Sequence, residues 1–208
     1  MEAAAVRVRR QGSAPGPEKR GLIRRLKLLP RHAVVLFIDA TILRLFPPLR
    51  CAWAFRGQQA EVRITGRNAK RVLFGAINPR TGHRLVTSRP AMRQEDLQAF
   101  LRHLRGRYRG RPLWLILDRA PCHEAHKSQA LAGRLNIGLL WLPTQCPELN
   151  PVDHLWRELK RLVAANRQFR TIDEEAGFAE RWFLGLSAHK ALRKAGIMAE
   201  GFWLKALL

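Results

Sequence analysis

Acidic residues are scarce in this chain of 208 residues: 16 Asp+Glu stand against 38 Lys+Arg, a formal net charge of +22. A soluble protein with that imbalance repels itself unless it meets a polyanion. Nucleic acid is the first candidate, because neutralising phosphates releases counterions and supplies affinity without sequence preference. Basic charge alone also suits ribosomal-type or membrane-surface proteins, so it names a class of partner and no activity. Cysteine is scarce too. Cys51, Cys122 and Cys146 are odd in number, widely spaced and form no C-x-x-C pair, which excludes a disulfide framework and a zinc ribbon and suits a reducing cytosol. No apolar run reaches 18 residues and the N-terminus lacks a signal-peptide core, so neither a membrane-spanning helix nor a secretory leader is expected. The expected place is the cytoplasm, at the nucleoid, with no membrane partner. Internal repeats and low-complexity runs are also missing.

What is present is globular. Hydrophobic residues make up 47% of the chain, enough for one domain with a core. Residues 1–31 stand apart, with nine Lys/Arg and two Glu, a net +7. Their middle, QGSAPGPEKR, reads as linker, and GLIRRLKLLP predicts a short basic amphipathic helix ending before Pro30. This segment is either a solvated tail or a DNA-contacting arm.

From residue 33 the pattern changes. AVVLFIDA, LWLILD (113–118) and IGLLWLP (137–143) are short apolar runs, as strands buried on both faces require. WAFRGQQAEVRITGRN suggests antiparallel strands or a hairpin, and RVLFGAINPRTGHRLVTS two strands joined at N-P-R-T-G. Leu97, Phe100, Leu101 and Leu104 place an amphipathic helix over 93–106. Further helices are expected over 124–135, 153–165 and in the C-terminal third, with FWLKALL closing the chain. Three successive strands followed by helix-linked ones predict a mixed sheet, antiparallel first and parallel later, covered by helices.

Three acidic residues fall at the ends of these elements: Asp39 after AVVLFI, Asp118 after LWLIL, and Asp153 in NPVDHLWRELKR. Taken singly, each has a plain role. A strand-end Asp caps a turn, and an Asp in the first turn of a helix is favoured by the dipole, here behind Asn150 as N-cap and Pro151. Taken together, Asp39 and Asp118 would end neighbouring parallel strands at one sheet edge, where open sheets build sites. Three converging carboxylates would suit Mg2+ or Mn2+, and two such ions about 4 Å apart can activate water and stabilise the leaving oxygen of a phosphodiester.

FIDAT, PPLRCAWAFRGQ (47–58), VLFGAINPRTG (72–82), LILDRAPCH and LPTQCPELNPVDHLWRELKR occur in that order, with 34 residues between Asp118 and Asp153. In these blocks the sequence resembles the catalytic domain of DDE transposases, in the bacterial insertion-sequence branch of the mariner superfamily. The resemblance runs from about residue 33 to the C-terminus. It implies an α/β ribonuclease-H-like fold with a mixed five-stranded sheet, over residues 32–208, preceded by a flexible basic segment, 1–31. It also implies a catalytic, metal-binding triad in which Asp39 bridges two Mg2+ (or Mn2+) ions and Asp118 and Asp153 each complete one. Such enzymes hydrolyse a phosphodiester at a transposon end and use the freed 3′-OH to attack target DNA, and paired ends imply a homodimer. The sequence departs from the family pattern at Ala40, at Arg119–Cys122 and in TQCPELNP. Its 31 leading residues are too few for the family's paired helix-turn-helix modules, so a separate helix-turn-helix chain would supply end recognition. The other readings are a truncated, inactive remnant that only binds DNA and, against the NPVDHLWRELK block, a nuclease acting on RNA.

Around the triad, His123 is read as a structural support for the site. Arg56, Arg119, Arg157, Lys160 and Arg161 are candidates for phosphate contact, with a solvated surface as the other reading. His154 is read as surface, Trp156, Leu159 and Val163 as core, and Cys122 as a weak nucleophile without a base.

Overall fold

The computed structural model describes residues 16–46, 53, 55–58, 61, 64, 66–163 and 168–205. Five strands, β1 (Val34–Arg44), β2 (Lys70–Ile77), β3 (Arg84–Arg89), β4 (Leu113–Leu117) and β5 (Ile137–Trp141), form one sheet in the order β3-β2-β1-β4-β5. β1–β2 and β2–β3 are antiparallel, and β1–β4 and β4–β5 are parallel. The mixed sheet expected from the strand pattern is the sheet observed. Asn78 makes the β2–β3 turn, its Oδ1 accepting from the N–H groups of Arg80 (2.9 Å) and Thr81 (3.2 Å).

Helices cover both faces. They are α1 (Pro17–Lys27), α2 (Gln94–Arg107), α3 (Pro121–Glu124), α4 (His126–Arg134), α5 (Pro151–Val163), α6 (Ile172–Gly185) and α7 (Ala188–Lys194). Val34, Leu36 and Ile38 of β1 and Leu113, Leu115 and Leu117 of β4 face one core, shared with Leu97, Phe100, Leu101 and Leu104 of α2. Phe37 and Leu43 of β1 and Ile116 of β4 face the other, shared with Leu155, Trp156 and Leu159 of α5 and Phe183 of α6. Strand alternation therefore assigns Asp39 and Asp118, each two residues beyond Phe37 and Ile116, to the face that α5 covers.

Three expectations change in detail. Asp39 does not end its strand. β1 runs on to Arg44, paired with β2 alone once its last β4 register pair, Phe37 with Ile116, is passed. The helix expected over 124–135 is split, with α3 as a separate turn before α4. The basic helix starts earlier, at Pro17, and is docked, with Leu22 and Leu26 buried in the α5-side core. Residues 1–15 and most of the hairpin expected over 53–68 lie outside the described residues. Those described there, 53, 55–58, 61, 64 and 66–68, form no strand. Of FWLKALL, Phe202 and Trp203 pack edge-on against Phe37, and 206–208 lie outside the described residues.

Candidate active site

At the edge where β1 and β4 part, a cleft of about 410 Å³ is lined by Asp39, Ala40, Asp118, Arg119, Asn150 and Asp153, together with residues 142–147 that follow β5. The three aspartates come from three separate elements: the interior of β1, the residue after β4, and the first turn of α5. The sequence assigns all three to one place, and the fold brings them to one cleft.

Their surroundings differ. Burial, then the neighbouring Asp118 carboxylate, push the Asp39 carboxyl up to about 7, with Asp153 adding to the effect. Asp118 is held below the usual carboxylate range, chiefly by its hydrogen bond with His123. His123 Nδ1 lies 2.6 Å from Asp118 Oδ1 and 3.2 Å from Asp118 O. Both are acceptors, so Nδ1 carries the proton. Ala120 N–H donates to the same Oδ1 at 3.2 Å. His123 is only 2% exposed. Burial opposes its charged form, yet the hydrogen bonds with Asp118 and Cys122 push the imidazole up to about 10. Asp153 Oδ2 meets Arg157 Nε at 3.2 Å.

Among the described residues, no three His, Cys, Asp or Glu side chains are grouped closely enough to hold a metal ion. Asp39, Asp118 and Asp153 line this one cleft, with Asp118 paired to His123 and Asp153 to Arg157. Their chemistry still fits a hard divalent cation: the donors are carboxylate oxygens, and Asp39 sits under negative charge that a cation would relieve.

The start of α5 is fixed from several sides. Asn150, 3% exposed, accepts from Val152 N–H through Oδ1 (3.2 Å) and donates through Nδ2 to Ile38 O (2.9 Å). Trp203 Nε1 donates to Leu149 O at 2.9 Å. Trp156 lies against Gly75, the register partner of Asp39, where a Cβ would stand 2.4 Å from Trp156 Cζ2. Sequence reasoning found the Asn150 cap and missed its bond to β1. No local pattern announces a hydrogen bond across 112 residues. Gln145, in the cleft wall with φ 57°, was also missed.

The other candidates scatter. Arg119 lines the cleft, pairs with Glu124 at 3.0 Å and lies over the Trp141 ring. Arg157 adjoins Asp153. Lys160 and Arg161 lie further along α5, where Arg161 pairs with Glu158 at 3.2 Å, and neither lines the cleft. Arg56 is exposed and does not line it either. His154, read as surface, is half-buried against Gly196. Trp156, Leu159 and Val163 are core, as their spacing predicts.

A family model, DDE superfamily endonuclease, matches residues 34–174, more than half of the chain and the whole of this cleft. The chain belongs to the DDE superfamily endonucleases. This DDE endonuclease is 27% identical over 136 residues to an uncharacterised 39 kDa protein of insertion element IS630 from Shigella sonnei. That match covers 64% of this chain and 40% of that protein. It is 36% identical over 58 residues to the transposable element Tc1 transposase of Caenorhabditis elegans, covering 28% of this chain and 21% of that one. The Mos1 transposase paired-end complex with left transposon end superposes with a TM-score of 0.70 at 18% identity, covering 100% of this chain and 66% of that one. The catalytic domain of Mos1 mariner transposase superposes with a TM-score of 0.62 at 17% identity, covering 91% and 88%. The fold of this DDE endonuclease is thus ribonuclease-H-like, and the chain spans less than half the length of the IS630 protein. Among the described residues no helix is long and apolar enough to cross a membrane.

Proposed function

We propose that this DDE endonuclease is the catalytic part of a metal-dependent DNA transposase, which cleaves transposon ends and joins the 3′-OH to target DNA. The observation that carries this reading is the meeting of Asp39, Asp118 and Asp153, from three separate elements, around one cleft of about 410 Å³ in a chain of net charge +22. Solved Mos1 paired-end complexes with Mg and with Mn support a divalent ion in this fold. Two such ions, when bound, activate the attacking oxygen and stabilise the leaving one. Asp39, with Asp118 and Asp153 both near enough to raise its pKa, is the residue suited to serve both. His123 holds Asp118 through Oδ1 and leaves Oδ2 without a donor among the described residues. Arg119, which lines the cleft, and Arg157, paired with Asp153, are suited to hold the phosphodiester backbone. DNA is the partner, a homodimer handles paired ends, a separate helix-turn-helix chain supplies end recognition, and the work is done in the cytoplasm at the nucleoid.

The test is nicking of plasmid DNA that carries the terminal repeats of the parent element. Mg2+- or Mn2+-dependent nicking is expected, lost with a chelator and in Asp39→Asn and Asp153→Asn. The absence of any nicking by the wild-type chain overturns the enzyme reading in favour of a DNA-binding remnant. Cleavage that survives both substitutions overturns the site assignment.

A further inference from the structure

Asp153 belongs to a helix, whereas Asp39 and Asp118 belong to the sheet. A helix packed on a sheet by apolar contacts alone can slide by fractions of an ångström, because such contacts are not directional. A carboxylate that must share an ion with a strand residue tolerates little of that. The α5 N-terminus is tied to the sheet by a directional bond, from Asn150 Nδ2 to Ile38 O, and Ile38 is the residue before Asp39. The bond is buried, and its acceptor lies one residue past the last β1–β4 register pair. Three residues after Asp153, Trp156 fills the notch over Gly75, which faces Asp39 across the β1–β2 ladder. The Asn150 and Trp156 contacts therefore both bear on the immediate neighbours of Asp39.

We propose that Asn150 is a positioning residue for the reaction: its Nδ2–Ile38 O bond, backed by Trp156 over Gly75, sets the height of Asp153 above Asp39. This rests on the metal-dependent reading above. The same side chain also caps α5 through Oδ1, so the two roles must be separated. Serine does this. Its hydroxyl is a good N-cap acceptor but has no amide to reach Ile38 O.

The experiment compares the wild-type chain with Asn150→Ser, Asn150→Ala and, as a control for lost stability away from the cleft, Arg105→Ala, which removes the donor to the carbonyls of Tyr108 and Arg111. Folding is followed by circular dichroism, Mn2+ binding by calorimetry without DNA, and nicking is resolved into kcat and KM. Asn150→Ser and Asn150→Ala are both expected to weaken Mn2+ binding about 10- to 100-fold. Both are expected to lower kcat and leave KM for DNA within about twofold, because phosphate contacts on the DNA backbone are untouched. Arg105→Ala is expected to lose thermal stability while keeping Mn2+ affinity within about threefold of wild type, a spread well inside the 10- to 100-fold loss. Wild-type Mn2+ affinity in folded Asn150→Ser overturns the proposal and leaves Asn150 a helix cap only. An equal loss in Arg105→Ala overturns it in favour of general loosening. A wild-type chain that binds no Mn2+ overturns the metal-dependent reading itself, and this inference with it.

Discussion

The two ends of the sheet hold cavities of opposite character. At the N-terminal ends of β4 and β5 lies the larger, about 590 Å³, lined by Arg105, Arg111, Trp114 and Asn136 among others. The smaller, about 410 Å³, lies at the opposite edge around the aspartates. In the larger one the principal charged group is already spent. Arg105 donates to the carbonyls of Leu135 (3.5 Å), Asn136 (3.4 Å), Arg111 (2.7 Å) and Tyr108, tying α2 to the chain before β4 and β5. In the smaller one, burial and like charge leave Asp39 straining against ionisation. Volume is a poor guide here. Unmet electrostatic demand separates a site from a gap between elements.

The comparison breaks most sharply through the acids. Asp39→Asn, Asp118→Asn or Asp153→Asn is expected to lower Mg2+-dependent nicking by on the order of 10³-fold or more. Arg105→Ala should leave the nicking rate of the folded fraction unchanged, as measured after correction for unfolded protein. Its effect belongs to stability: a loss of about 2–4 kcal/mol in urea unfolding is expected, since several carbonyls lose a charged donor. An Arg105 variant that folds normally but no longer nicks would erase the distinction between the two ends.

Asp39 supplies a smaller and opposite test. Its pKa is raised in the folded chain, so its contribution to stability is present below the unfolded value near 3.8 and is lost as pH rises through about 7. Without metal, Asp39→Asn is therefore expected to be more stable than wild type at pH 8, by about 1–3 kcal/mol and with a higher unfolding temperature, and to match it near pH 4. Identical thermal profiles at both pH values would mean that Asp39 is not under strain. Least of all, Arg157→Ala should change stability by under about 0.5 kcal/mol, because its pair with Asp153 is exposed. Chemical denaturation of the two chains side by side checks this.

Much of the acidic end was legible in advance. Apolar runs of the right length marked β1, β4 and β5, and the residue following or ending each run marked Asp39 and Asp118. NPVD marked the start of α5, since Asn and Pro have known places there. What stayed hidden depends on contacts distant in sequence. β1 continues past Asp39 because β2 pairs with it as far as Arg44, and nothing within AVVLFIDA reports partners that lie in residues 70–74. Arg161 shares its helix with Asp153 but is engaged by Glu158, which a helical wheel shows only as one neighbour among several. The convergence of carboxylates was read from type and position, whereas the pairings of Asp118 with His123 and Asp153 with Arg157 depend on side-chain directions that no spacing rule supplies.

Gly75 and Trp156 have a consequence for descent. With a Cβ at 75 destined to lie 2.4 Å from the indole, neither position can drift alone. Relatives that carry a side chain opposite the first aspartate should also carry a smaller residue where this chain has Trp156, three places after the third. An alignment of insertion-sequence proteins should show the two positions changing together, as one inherited unit.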